Sequence, residues 1–146
     1  GAHLGAMLTL NETYLSKPAH DSLKGFIGLA GPYDFLPLTA DYQKIIFGPE
    51  ANFPASQPIN FVDGSEPPLL LLFGKNDLTV KPVNIASLSM RVKLAGGCVE
   101  NHEYKNLDHV EILGALSFAL KNQEPVLQDI AQFLKYYAQS NQSCRN

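Results

Sequence analysis

The run Leu69-Leu70-Leu71-Leu72-Phe73 restricts the fold more than any other feature. Consecutive apolar residues without polar alternation do not suit a sheet face open to water. Such a run reads as a strand covered on both sides, as in a parallel sheet. Residues 25–30 and 99–104 read as two further strands, the last the least apolar and so placed nearer a sheet edge. Helical patterns separate or follow them at 2–15, 82–95 and 124–139. In the last of these Val126, Ile130, Phe133, Leu134 and Tyr137 form one apolar face. Pro82 suits a first helical turn, and Gly96-Gly97 ends that helix before the third strand. Strands alternating with helices predict an α/β fold with right-handed crossovers between parallel strands.

The 146 residues are read as one domain, 1–146, large enough to bury roughly 68–70% of the unfolded surface. Between 36 and 68 the pattern changes to a Pro-rich insertion, with a short helix expected over 41–47. A long insertion in a compact α/β domain is more often functional than idle. A net charge of −3 gives no electrostatic footprint for nucleic acid. No run reaches the length of a membrane span. Cys98 and Cys144 are the only cysteines, and a lone pair in an α/β chain reads as reduced and structural. Asn11-Glu12-Thr13 and Asn141-Gln142-Ser143 fit the glycosylation pattern, which short sequences also meet by chance. The compartment stays open.

The chemistry is expected at the carboxyl ends of the strands, where open α/β sheets place their ligands. Asp77 lies just past the second strand, in Gly74-Lys75-Asn76-Asp77-Leu78-Thr79-Val80. His109 lies past the third, in Lys105-Asn106-Leu107-Asp108-His109-Val110-Glu111. Neighbouring strands run about 4.8 Å apart, so a carboxylate and an imidazole on adjacent loops can meet. An acid held against one ring nitrogen leaves the other free as a general base. That makes two members of a hydrolytic triad. No serine in the chain has glycine two residues before and after it, so the third member, the nucleophile, is missing.

Asp108 reads as a helix N-terminal acid. Asp34, after Gly31-Pro32-Tyr33, reads as a turn residue or a brace for the site. His3, His20 and His102 show no metal-ligand spacing with cysteine and read as structural; no metal or other cofactor is implied. Phe35, Phe47, Phe53 and Phe61 are candidates for an acyl pocket, with core packing as the default.

Four segments in order carry a family resemblance. Gly1-Ala2-His3-Leu4-Gly5-Ala6-Met7-Leu8 resembles the tail of the G-x-S-A-G-A-H-L nucleophile elbow of α/β-hydrolase-fold esterases and arylformamidases. Residues 28–35 resemble the strand and loop after the elbow helix. Residues 67–80 resemble the strand carrying the triad acid, and 106–113 the histidine loop. One departure is Lys81, which intervenes between Val80 and Pro82 where that family runs Val-Pro. The resemblance implies the C-terminal part of an α/β-hydrolase, beginning at the last glycine of the elbow. The serine is expected two residues before Gly1, with the elbow strand and oxyanion loop upstream.

It implies an enzyme that hydrolyses small carboxylic esters, with Asp77 and His109 as the catalytic residues present. The chain alone is expected to be inactive. Hydrolysis of arylformamides is the alternative chemistry, and a non-catalytic fragment or binding subunit the alternative class. With the elbow strand absent, association through the open edge of strand 25–30 is expected, with the N-terminal segment or with a second copy.

Overall fold

A computed structural model describes residues 1–117, 125–138 and 144. Its sheet has three parallel strands in the order β1-β2-β3: β1 is Phe26–Leu29, β2 Leu69–Gly74 and β3 Val99–Tyr104. Phe26 pairs with Leu69, and Leu69 in turn with Val99. The three expected strands are all present, and the least apolar one is an edge.

β2 explains the architecture. Successive strand side chains point to opposite faces, and Leu69, Leu70, Leu71 and Leu72 are all fully buried. Leu69 and Leu71 join one core with Ala6, Phe26, Ile85 and Leu88. Leu70 and Leu72 join a second with Leu107, Ile112, Val126 and Phe133. Helices α1 (Ala2–Leu10) and α4 (Val83–Leu94) supply the first layer. Helices α5 (Glu111–Gly114) and α6 (Val126–Tyr137) supply the second.

The strand β1 is the other edge. The amides of Phe26 and Ala30 donate to Pro68 and Leu72 at 2.9 and 2.8 Å. The even-numbered residues therefore face β2, and the peptide groups of Ile27 and Leu29 face the open side.

Three expectations are corrected. The helix expected over 2–15 stops at Leu10. The side-chain oxygen of Asn11 accepts the amide and hydroxyl of Thr13 at 3.0 and 2.7 Å, a turn that competes with further helix. A second short helix, α2 (Lys17–Asp21), then starts with Pro18 in its first turn. Asn11 is itself buried, which removes it as an open glycosylation acceptor; Asn141 lies outside the described residues.

The second correction is covalent. Cys98 and Cys144 form a disulfide, with Cα atoms 5.1 Å apart at a sequence separation of 46. Composition argued for free thiols because it says nothing about which chain segments return to one another. The third concerns the extent of the last helix: α6 runs Val126–Tyr137, with Pro125 and Ala138 as its caps, while Glu124 and Gln139, also expected within it, lie outside the described residues.

The Pro-rich insertion contains α3 (Asp41–Phe47), as expected, and two 3₁₀ helices, Glu50–Ser56 and Pro58–Phe61, that the pattern did not suggest. Among the described residues no helix is long and apolar enough to cross a membrane.

Candidate active site

The loops after β2 and β3 are bonded to each other before any side chain of the site is considered. The amide of Lys75 donates to the Tyr104 carbonyl at 2.8 Å and that of Asn76 to the Leu107 carbonyl at 3.1 Å. The Asn76 side chain donates to the Lys105 carbonyl at 3.3 Å. Gly74 permits this approach, since a Cβ there would collide with the Leu107 carbonyl oxygen.

On this double loop Asp77 and His109 meet. His109 Nδ1 lies 2.8 Å from Asp77 Oδ2, and the Asp77 side chain is only 1% exposed against 32% for the imidazole. The other carboxylate oxygen accepts the amides of Thr79 and Val80, both at 2.8 Å. Asp77 is thus held by its own turn and presents one oxygen to the ring. A carboxylate only accepts, so Nδ1 donates and carries the hydrogen in the neutral ring. Nε2 then has a free lone pair, and it makes no hydrogen bond among the described residues.

His109 is positioned by helix-capping chemistry. Asp108 Oδ1 accepts the amides of Val110 and Glu111 at 2.8 Å each, while the Glu111 carboxylate accepts the Asp108 amide at 2.9 Å. This reciprocal pair starts the α5 turn and fixes the backbone on both sides of His109. Asp108 acts as a helix-terminal acid, as its sequence position suggested.

The loop after β1 completes the rim. Ala30, 4% exposed, has φ of +49°, a left-handed conformation costing a non-glycine residue about 1–2 kcal/mol. It redirects the chain into Gly31-Pro32-Tyr33-Asp34-Phe35. Two buried amides secure that loop. Asn84 Oδ1 accepts from Tyr33 and Asp34 at 2.8 and 2.9 Å, and its Nδ2 donates to the Lys81 carbonyl at 3.2 Å. Gln57 Oε1 accepts from Phe35 at 2.7 Å. Asn84 therefore joins the β1 loop to the chain just past Asp77.

Sequence reasoning missed Asn84 and Gln57. Asn84 had a signal, since it shares the buried stripe of α4 with Leu88 and Val92 and is a polar residue at a core position. Tyr33 is fully buried, its hydroxyl has no partner among the described residues, and burial pushes its pKa well above the usual range. Its ring fits because β1 has Gly28, where a Cβ would collide with the hydroxyl.

The remaining candidates separate. A cavity of about 670 Å³ opens beside the Asp77 turn, lined by Thr79 and Val80, by Asp34 and Phe35, by His3 of α1, and by Tyr42, Ile46 and Phe47 of α3. Phe35 and Phe47 belong to it, whereas Phe61 packs against the core and Phe53 lines a different cleft. His3 and His20 bond to the carbonyls of Ser56 and Thr9 at 2.8 Å each, and His102 lies 3.4 Å from Asp129. No group of three or more metal-ligating side chains occurs among the described residues.

No protein-family model matches the chain, and no curated protein matches it in sequence. Solved structures do match in three dimensions. Thermogutta terrifontis esterase 2 phosphoramylated by tabun superposes with a TM-score of 0.68 at 18% identity, over 92% of this chain and 50% of that one. The propionate-bound form of the same esterase gives 0.67 at 17%, over 98% and 55%. Porphyromonas gingivalis dipeptidyl peptidase 4 gives 0.60 at 17%, over 77% and 16%. The chain shares with these structures an α/β fold, a parallel sheet flanked by helices. The chain spans about half the length of the esterases it matches.

Proposed function

We propose that this chain is the C-terminal part of a carboxylic-ester hydrolase, carrying the acid and base of a Ser-His-Asp triad. The observation that carries this is the 2.8 Å contact from His109 Nδ1 to a buried Asp77 carboxylate. In this reading the serine stands two residues before Gly1, in an elbow whose helix is α1, and the open edge of β1 receives the elbow strand. The location of α1 supports it, since His3 in the first turn of α1 lines the same cavity as Thr79 and Val80, whose amides hold Asp77. The serine oxygen attacks the ester carbonyl while His109 Nε2 takes its proton. Asp77 keeps the ring in the required tautomer and stabilises the imidazolium. His109 then returns the proton to the leaving alcohol, and water repeats the sequence on the acyl-enzyme.

Two measurements test this. The 146-residue chain should hydrolyse p-nitrophenyl esters no faster than its own His109→Ala variant, because acid and base alone make a poor acyl-transfer catalyst. The protein extended by the codons upstream of Gly1 should be labelled by a fluorophosphonate at one serine in a G-x-S-x-G elbow. An extended protein without a labelled serine would leave a non-catalytic α/β subunit. A chain clearly faster than its His109→Ala variant would mean a nucleophile elsewhere.

A further inference from the structure

The cavity beside the Asp77 turn has a volume, about 670 Å³, within the roughly 300–1,000 Å³ typical of small-molecule sites. It is linked to Asp77 through Thr79 and Val80, which line the cavity and whose amides hold the Asp77 carboxylate; Asp77 and His109 themselves do not line it. One wall is a ring cluster. His3 lies edge-on to Phe35 and to Phe47, with centroids 5.6 Å apart in each case, and Phe35 and Phe47 are tilted at 5.7 Å. These are the distances and angles at which aromatic rings attract, and a further ring extends such a cluster. Helix α3, which supplies Phe47 to this cluster, also lines the cavity with Tyr42 and Ile46, which remain 64% and 67% exposed. The charged lining groups are one carboxylate, Asp34, and one ammonium, Lys81, so the cavity has no charge excess to favour an anion or a cation.

We propose that this cavity binds the aromatic group of an uncharged ester, with α3 of the Pro-rich insertion as the wall that sets specificity. The proposal rests on the esterase reading for the nature of the ligand but not for the existence of the site. Tyr42 and Ile46 are specificity-determining rather than catalytic, since they touch the bound group and not the reacting atoms.

The 146-residue chain serves for the test as it stands. Benzyl acetate, ethyl acetate and the phenylacetate anion are titrated in turn, with binding followed by NMR of aromatic and methyl groups. Benzyl acetate should shift Phe35, Phe47 and Val80 saturably, and the other two should bind roughly tenfold or more weakly. Ile46→Asp and Tyr42→Ala alter exposed side chains, and each should weaken benzyl acetate by a similar factor without moving the denaturation midpoint. If Ile46→Asp disturbs the fold, Tyr42→Ala decides. Absence of saturable binding up to the solubility limit overturns the proposal. So does equal affinity for ethyl acetate, or affinity that Tyr42→Ala leaves unchanged. A labelled elbow serine without ring binding removes the subsite alone. Ring binding without a labelled serine leaves the subsite and removes the esterase reading.

Discussion

Replacing Asp77 by Asn separates the two tasks assigned to this side chain. The carbonyl oxygen of the introduced carboxamide can take the place of Oδ1 and keep the amides of Thr79 and Val80, each now bonded at 2.8 Å. Its NH₂ group then faces His109 Nδ1, where a carboxylate oxygen stood at 2.8 Å. Two donors cannot share that contact, so the neutral ring must move its hydrogen to Nε2 and accept at Nδ1. A charge-assisted bond worth about 1.5–3 kcal/mol is exchanged for a neutral one of about 0.5–1.5 kcal/mol, a net loss of about 1–2 kcal/mol. Asp77→Ala also strips both amides of their acceptor. The half-buried Val80 amide then costs about 1–3 kcal/mol, and the exposed Thr79 amide less because water can reach it. Asp77→Ala should therefore cost roughly 2–5 kcal/mol.

Urea denaturation measures the two losses, and ¹⁵N shifts of the imidazole under mildly alkaline conditions identify the tautomer. Wild type should hold the hydrogen on Nδ1 and Asp77→Asn on Nε2. If the proposed esterase reading holds, the same swap removes the base from the intact protein, a loss of roughly 10⁴ in kcat where it has been made in a Ser-His-Asp enzyme. Two outcomes would refute the reasoning: an Nε2–H ring in wild type, or an unchanged Nδ1–H ring in Asp77→Asn.

The disulfide and the buried Tyr33 hydroxyl set the remaining expectations. Reducing the Cys98–Cys144 bridge opens a loop of 46-residue separation, for which chain entropy gives about 4 kcal/mol of lost stability; calorimetry with and without reductant should show a lower Tm, and an unchanged Tm would mean free thiols. Tyr33→Phe should be neutral or stabilising at neutral pH, because the hydroxyl it removes is buried and unpaired. The Tyr33 pKa is raised in the folded state, so its contribution to stability is present below the unfolded value of about 10 and is lost as pH rises beyond it. Denaturation at alkaline pH should therefore show a smaller loss in Tyr33→Phe than in wild type, and a variant clearly less stable at neutral pH would mean that the hydroxyl has a partner.

The Asp77–His109 pair was legible because each residue is set by local chemistry. Asp77 follows the apolar run 69–73, which could only be a buried strand, His109 follows the more polar edge strand beside it, and the turn that holds each lies within a few residues of it. The Asp108–Glu111 cap shows in a four-residue pattern. Helix α1 shows the limit of such patterns, since its apolar residues continue past Leu10 while the Asn11 turn ends the helix.

The sequence by itself determined the strand positions, their alternation with helices, and the placing of Asp77 and His109 on the loops after two adjacent strands. These depend on hydrophobic periodicity and turn chemistry, which act over a few residues. Only the tertiary structure decided that Asn84 accepts from Tyr33, 51 residues away, and that Gln57 secures Phe35. It also decided that Cys98 meets Cys144, at a sequence separation of 46. Contacts at such separations exist only once the sheet has closed and both of its faces are packed. No single stretch of chain encodes them, because each requires two distant segments to be brought to one place by the remainder of the fold.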